Sequence, residues 1–180
     1  MYDRKGPKLT EGKISKKIVL FALPIFLGNL FQQLYNVVDS LVVGNALGKE
    51  ALAAVSSTGS LIFLIVGFIS GVFVGASVII SRYYGAKNTK DLTVAVHNTL
   101  ALGLIAGIII TVVGVSFTPT LLKLMGTPDD VIQNSVLYLR IYFAGGIGIA
   151  MYNACMGIFQ AVGDSKHPLY YLITAAILNT

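Results

Sequence analysis

Asp39 is the residue in this chain whose position asks for chemistry. It follows 21 consecutive residues, Ile18 to Val38, that carry no charge. Beyond it, residues 40–48 are apolar again apart from Ser40 and Asn45. A carboxylate at the centre of a bilayer costs roughly 3 kcal/mol on insertion scales, so an acid in such a run is expected to face a cavity and serve a pathway. At 100° per residue, Asn29, Gln32, Tyr35, Asn36 and Asp39 fall within an arc of roughly 120°. Leu27, Leu30, Phe31, Leu34 and Val38 occupy the opposite side. One face therefore suits lipid or protein packing and the other something polar. Two placements of the acid stay open: in a cavity, or at the interface if the helix ends near Val38.

The elements that must position this stripe are legible in the composition. The 180-residue chain is 55% hydrophobic and 12% charged, with a mean hydropathy of +0.78; a soluble domain carries about 25% charged residues. The shortfall comes from four uncharged runs, Ile18–Val38, Ala51–Ser81, Leu92–Leu122 and Ile141–Gly163, of 21, 31, 31 and 23 residues. Each exceeds the roughly 20 residues that cross a hydrocarbon core, and none alternates as a barrel strand would. The expected fold is an all-α membrane protein with four complete transmembrane helices and the start of a fifth. We place them at about 15–47, 52–83, 92–117, 131–160 and an incomplete 167–180, after a tail at 1–14. The final segment, His167 to Thr180, spans roughly 21 Å as a helix, too short to cross. We therefore read the chain as a larger membrane protein cut inside its fifth helix.

Charge placement sets the expected orientation. Arg4, Lys5, Lys8, Lys13, Lys16 and Lys17 precede the first span, Arg82, Lys87 and Lys90 follow the second, and Lys166 follows the fourth. Only Lys49, Lys123 and Arg140 fall on the other side. This bias puts the N-terminus in the cytoplasm of a multi-pass protein. The net charge of +5 is thus a topology signal and not the compact basic face that nucleic acid would need. The first apolar run is longer than a signal peptide's and no A-x-A-like site follows it. Cys155 is alone, which leaves no intrachain disulfide, and its expected role is that of a small core residue.

Local signals refine the elements. Ser15 is a candidate cap and Pro24 a candidate kink in the first span. A short connection, Gly48–Ala51, leads to the second, where Gly67, Gly71 and Gly75 share a face suited to close helix approach or to flexing. Pro119 is expected to end the third span, and His97 near its start reads as interfacial or packed. Thr127 is a candidate cap for the fourth, with Pro128 in its first turn and Asp129 and Asp130 favourable to the helix dipole. Within that span Arg140 is expected to snorkel outward, Asn153 and Gln160 to bond between helices, and Gly145–Gly148 to offer a flexible point. No Walker motif, HExxH or nucleophile elbow is present, so enzyme chemistry has no supporting residue and no organic cofactor is expected.

The ordered motifs resemble a specific family. The stretches Leu23–Gly44 (LPIFLGNLFQQLYNVVDSLVVG) and Leu47–Val55 (LGKEALAAV) are similar to the first helix and turn of multidrug and toxic compound extrusion transporters. Gly75–Ser77, Ser81–Asn88 (SRYYGAKN), Leu121–Asp130 (LLKLMGTPDD), Tyr138–Tyr142 (YLRIY) and Gln160–Pro168 (QAVGDSKHP) continue the resemblance in order. It implies twelve helices in two six-helix lobes, of which this chain supplies part of the N-terminal lobe, and export of organic compounds driven by inward Na⁺ or H⁺. It further implies that Asp39 handles the coupling cation with Asn179 on the fifth helix and a further acid beyond Thr180. The expected partners are membrane lipid, a small organic substrate and the missing C-terminal part of the transporter, in the cytoplasmic membrane of a prokaryote.

On that reading Asn29, Gln32, Tyr35 and Asn36 line a cavity with Asp39. A Na⁺ would take carboxylate and amide oxygens from Asp39 and Asn179; alternatively a dry site would let Asp39 carry a proton. Two other readings stand beside it: a flippase of lipid-linked sugars from the same superfamily, which calls for a more cationic cavity, and an inactive truncated product. A channel is disfavoured because no repeated ring of ligands is visible.

Overall fold

The computed structural model describes residues 14–179; the remainder of the expected tail and Thr180 lie outside the described residues. Five helices follow one another: α1 (Ile14–Gly85), α2 (Thr89–Leu124), α3 (Asp129–Ala144), α4 (Gly146–Ala161) and α5 (Lys166–Asn179). α1 comprises two limbs, with apolar spans at Ser15–Val42 and Ala51–Gly85, joined at one non-helical residue. That residue is Gly48, at φ 86° and ψ −175°, a region open essentially to glycine alone. The expected four-residue connection therefore contracts to a single glycine, because helical geometry resumes at once in Lys49. Residues at similar distances either side of Gly48, Pro24–Gln32 and Val66–Val74, border the same cavity, so the chain reverses there. Ser15 lies inside the helix, not before it, and Pro24 is accommodated without a non-helical residue.

α2 and the bent pair of α3 and α4 complete the crossings. Asn88 caps α2 by accepting from the Asp91 amide at 3.2 Å while donating to the Asp91 carboxylate at 2.8 Å. The helix passes through Pro119 to Leu124 instead of ending at the proline. Gly126 closes it at φ 71°, with the Thr127 amide returning to the Leu122 carbonyl. α3 starts one residue later than a Thr127 cap would require: Pro128 is the capping residue and Asp129 and Asp130 occupy the first turn. The anticipated fourth span is broken at Gly145, where α3 and α4 meet at 50°. With each crossing reversing the last, as the distribution of basic residues requires, the first limb, α2 and α5 lead from what we call the near side and the second limb and α3–α4 return.

Small residues decide how these helices touch. The buried face of α2 is Thr99, Gly103, Gly107, Gly114, Thr118 and Leu122, and that of α4 is Gly146, Ala150, Ala154 and Gly157. Two faces made mostly of small residues let the backbones approach closely, the usual mode of packing in lipid. A β-carbon at Gly107 would lie 2.6 Å from Cα of Ile147, and one at Gly157 would lie 2.9 Å from the Phe73 carbonyl oxygen. By contrast, Gly67, Gly71 and Gly75 open onto free space among the described residues, so the approach expected of them is not made there. Larger side chains fill what remains: Leu61, Leu122, Leu139 and Phe143 form one buried cluster, and Ile69, Phe73 and Ala154 a second. The outward faces stay apolar and unpacked, with Phe63 at 81% and Phe68 at 75% exposure, as lipid-facing surfaces should be.

Candidate functional site: a neutral polar cavity between the limbs of α1, α4 and α5

A cavity of about 640 Å³ lies between both limbs of α1, α4 and the start of α5. Both limbs of α1 and α4 present polar side chains to it. On the first limb Asn29 and Gln32 are three apart and so project from one face, one turn beyond Pro24. Gly28 beside them is buried and lets Leu169 and Leu172 of α5 lie against the helix. The second limb contributes Ser70, whose hydroxyl donates to Oδ1 of Asn153 on α4 at 2.7 Å. Asn153 in turn donates through Nδ2 to the Ile149 carbonyl at 2.8 Å. It is therefore the interhelical bonder expected of it and a wall of the cavity as well. Tyr142 of α3, with Tyr152 and Gln160 of α4, extends the polar lining, and Ser165 and Pro168 stand at the near end.

The remaining wall is apolar, with Ile25, Val66, Phe73, Val74, Met156 and Leu172. Amides, hydroxyls and phenols set among aliphatic and aromatic groups can orient a polar head while burying an apolar body. None of the described lining residues carries a formal charge. Such a wall neither repels cations nor compensates anions.

The sequence-derived candidates part company here. Asn29 and Gln32 border the cavity. Tyr35 and Asn36 do not; Asn36 instead donates to Oε1 of Gln33 at 3.2 Å, and its carbonyl accepts from Ser40. The side chains of Asp39 and Asn179 lie outside the described residues, but their helices are placed. The first limb and α5 touch at Gly28, Leu169 and Leu172. Asp39 lies on the first limb beyond Gly28, and Asn179 closes α5 beyond Leu169 and Leu172. Sequence reading had not assigned Ser70, Tyr142 or Tyr152. Polar groups inside apolar runs were the available signal, although which of them meet depends on the rotation of each helix.

With fold and cavity in hand, kinship can be weighed. The MatE family model matches residues 24–180. The chain belongs to the MatE family. Its members are the multidrug and toxic compound extrusion transporters, and the family is one of transporters, not enzymes. Among MatE relatives, the chain is 37% identical over 183 residues to the probable multidrug resistance protein YoeA of Bacillus subtilis, a match covering 99% of this chain and 40% of the relative. A multidrug resistance MATE family transporter of the MOP superfamily, solved in an outward-facing conformation, superposes with a TM-score of 0.88 at 29% identity. It is matched over 40% of its length by 99% of this chain. A MOP superfamily transporter from Pyrococcus furiosus, described with a binding pocket of reverse polarity that suggests a different function, is equally similar at 0.88 and 32% identity, over 99% of this chain and 39% of its own. The chain thus spans about 40% of the length of the relatives it matches, and its helices correspond to an N-terminal MatE lobe.

Proposed function

We propose that this chain works as part of a cation-coupled antiporter that exports small organic compounds across the cytoplasmic membrane of a prokaryote, with its N-terminus in the cytoplasm. The observation that carries the reading is the cavity between the first limb, α4 and α5, with Asn29 and Gln32 on its wall. The first limb and α5, which bound it, are the helices that carry Asp39 and Asn179. A Na⁺ or a proton taken by Asp39, with Asn179 as a further oxygen donor, changes the charge on the first limb. Helix packing in the lobe then answers that change, and the organic cargo leaves as the cation enters. On this reading complete transport requires the remaining length that the matched relatives possess.

The neutral lining favours this reading over a lipid-linked sugar flippase. A diphosphate-bearing cargo calls for cationic partners, and the described wall offers amides and phenols instead. The test is Asp39→Asn in a full-length transporter that contains this chain. Efflux of a fluorescent organic cation from energised vesicles is expected to fall at least about tenfold, as for loss of an ionisable group on an ion pathway. Export at the unaltered rate would overturn the assignment. Substituting K⁺ for Na⁺ at constant proton gradient separates the two coupling ions. Absence of export from the unaltered full-length protein would instead favour an inactive product.

A further inference from the structure

Arg140 has an occupation that the cavity does not explain. It sits in α3, roughly 16 Å from the start of that helix, at a depth where a guanidinium needs a reason to stay. Its Nε donates to the main-chain carbonyl of Val115 on α2 at 3.3 Å. Val115 lies four residues before Pro119 in an unbroken helix. A proline has no N–H to offer the carbonyl four positions earlier, and its ring pushes that carbonyl off the helix axis. Val115 therefore presents the one carbonyl that Pro119 orphans, in a region without water to serve it. Arg140 reaches that atom from the neighbouring helix.

The surrounding contacts repeat the same registration. One turn farther along α3, Phe143 is fully buried in the space left by Gly114, where a β-carbon would collide with its ring. Leu139, also fully buried, packs in the same cluster with Leu122 of α2. Thr118 turns its hydroxyl inward to the Gly114 carbonyl. The proline-weakened turn of α2 is thus gripped on its apolar side by Phe143 and Leu139 and on its polar side by Arg140. Tyr142, which lines the cavity, is two residues from Arg140 on the segment so held.

We propose that Arg140 is a positioning residue: it supplies across helices the hydrogen-bond donor that Pro119 removes from α2. It thereby keeps α2 continuous to Leu124 and sets the height of α3, and of Tyr142, against it. The proposal stands apart from the identity of any cargo or coupling ion.

The test is a double-mutant cycle in a full-length transporter that contains this chain, reconstituted in lipid nanodiscs and read by amide hydrogen exchange over residues 116–124. Arg140→Ala is expected to speed exchange there by about tenfold, the effect of losing one charge-assisted bond. Pro119→Ala restores the N–H, so in that background Arg140→Ala is expected to change exchange by less than about twofold. A role in snorkelling, charge balance or packing would not be relieved by a methyl-bearing residue at position 119. Equal effects in both backgrounds, or no effect of Arg140→Ala with Pro119 present, would overturn the proposal. Should Arg140→Ala fail to insert, Arg140→Met keeps the long stem without the donor and is expected to show the same dependence on position 119; independence from it counts against the proposal equally.

Discussion

Asn153 shows how a single polar residue serves packing and cavity together. Its carbonyl oxygen accepts from Ser70 and its amide group donates to its own helix, so one side chain fastens α4 to the second limb of α1 while facing the cavity. In hydrocarbon surroundings such bonds contribute about 0.5–1.5 kcal/mol, because the separated helices find other partners. Asn153→Ala is therefore expected to lower the stability of the reconstituted chain by about 1 kcal/mol. Ser70→Ala added to it should cost little more, since the partner is already gone. A thermal-unfolding cycle in lipid checks this, and additive losses would show that the two groups act separately. The Arg140 carbonyl contact belongs to the same scale, with its coupling to Pro119 as the distinguishing sign.

At the scale of elements, two backbone breaks organise the chain. Gly48 reverses α1 in one residue at φ 86°. Any side chain there meets backbone strain of about 1–3 kcal/mol, since this conformation is essentially reserved for glycine. Gly48→Ala is expected to lower the unfolding midpoint and to accelerate hydrogen exchange at the far ends of both limbs, although a β-carbon would find open space. An unchanged midpoint would mean that the limbs relax their turn freely. The second break, at Gly145, bends α3 against α4 by 50° where Gly146 abuts Thr111 of α2. Pro119 is the counterexample, a residue expected to end an element that instead stays inside one, its missing donor replaced by Arg140 of a neighbouring helix.

The whole molecule is a set of crossings whose direction decides which end of the cavity faces the cell interior. Basic residues cluster on the near side, in Lys16, Lys17, Arg82, Lys87, Lys90 and Lys166. On the orientation proposed above, the positive-inside rule puts that side in the cytoplasm. The expected outcome is specific: in a Cys155→Ala background, a cysteine at Thr127 is labelled by an impermeant maleimide in intact cells and a cysteine at Lys87 only after permeabilisation. The reverse pattern would invert the orientation and place the Asp39 end of the first limb inside. The neutral cavity opens between helices whose outer faces are apolar.

By itself the sequence determined that the chain spans a membrane, roughly where its helices cross, and which helix carries the stripe from Asn29 to Asp39. These follow from length and one-dimensional periodicity, since an uncharged run of 20 or more residues has few alternatives in water or lipid. Its motifs also pointed to the family that the matches identify. Only the tertiary structure decided that Asn29 and Gln32 face a cavity while Tyr35 and Asn36 do not, that Ser70 meets Asn153, and that α2 continues past Pro119. It likewise decided that close approach falls to Gly103, Gly107 and Gly114 and not to Gly67, Gly71 and Gly75. The physical reason is common to all of these. Periodicity specifies a helix and its faces, whereas the rotation and height of each helix against its neighbours depend on where small residues admit another backbone and where a displaced carbonyl finds a donor.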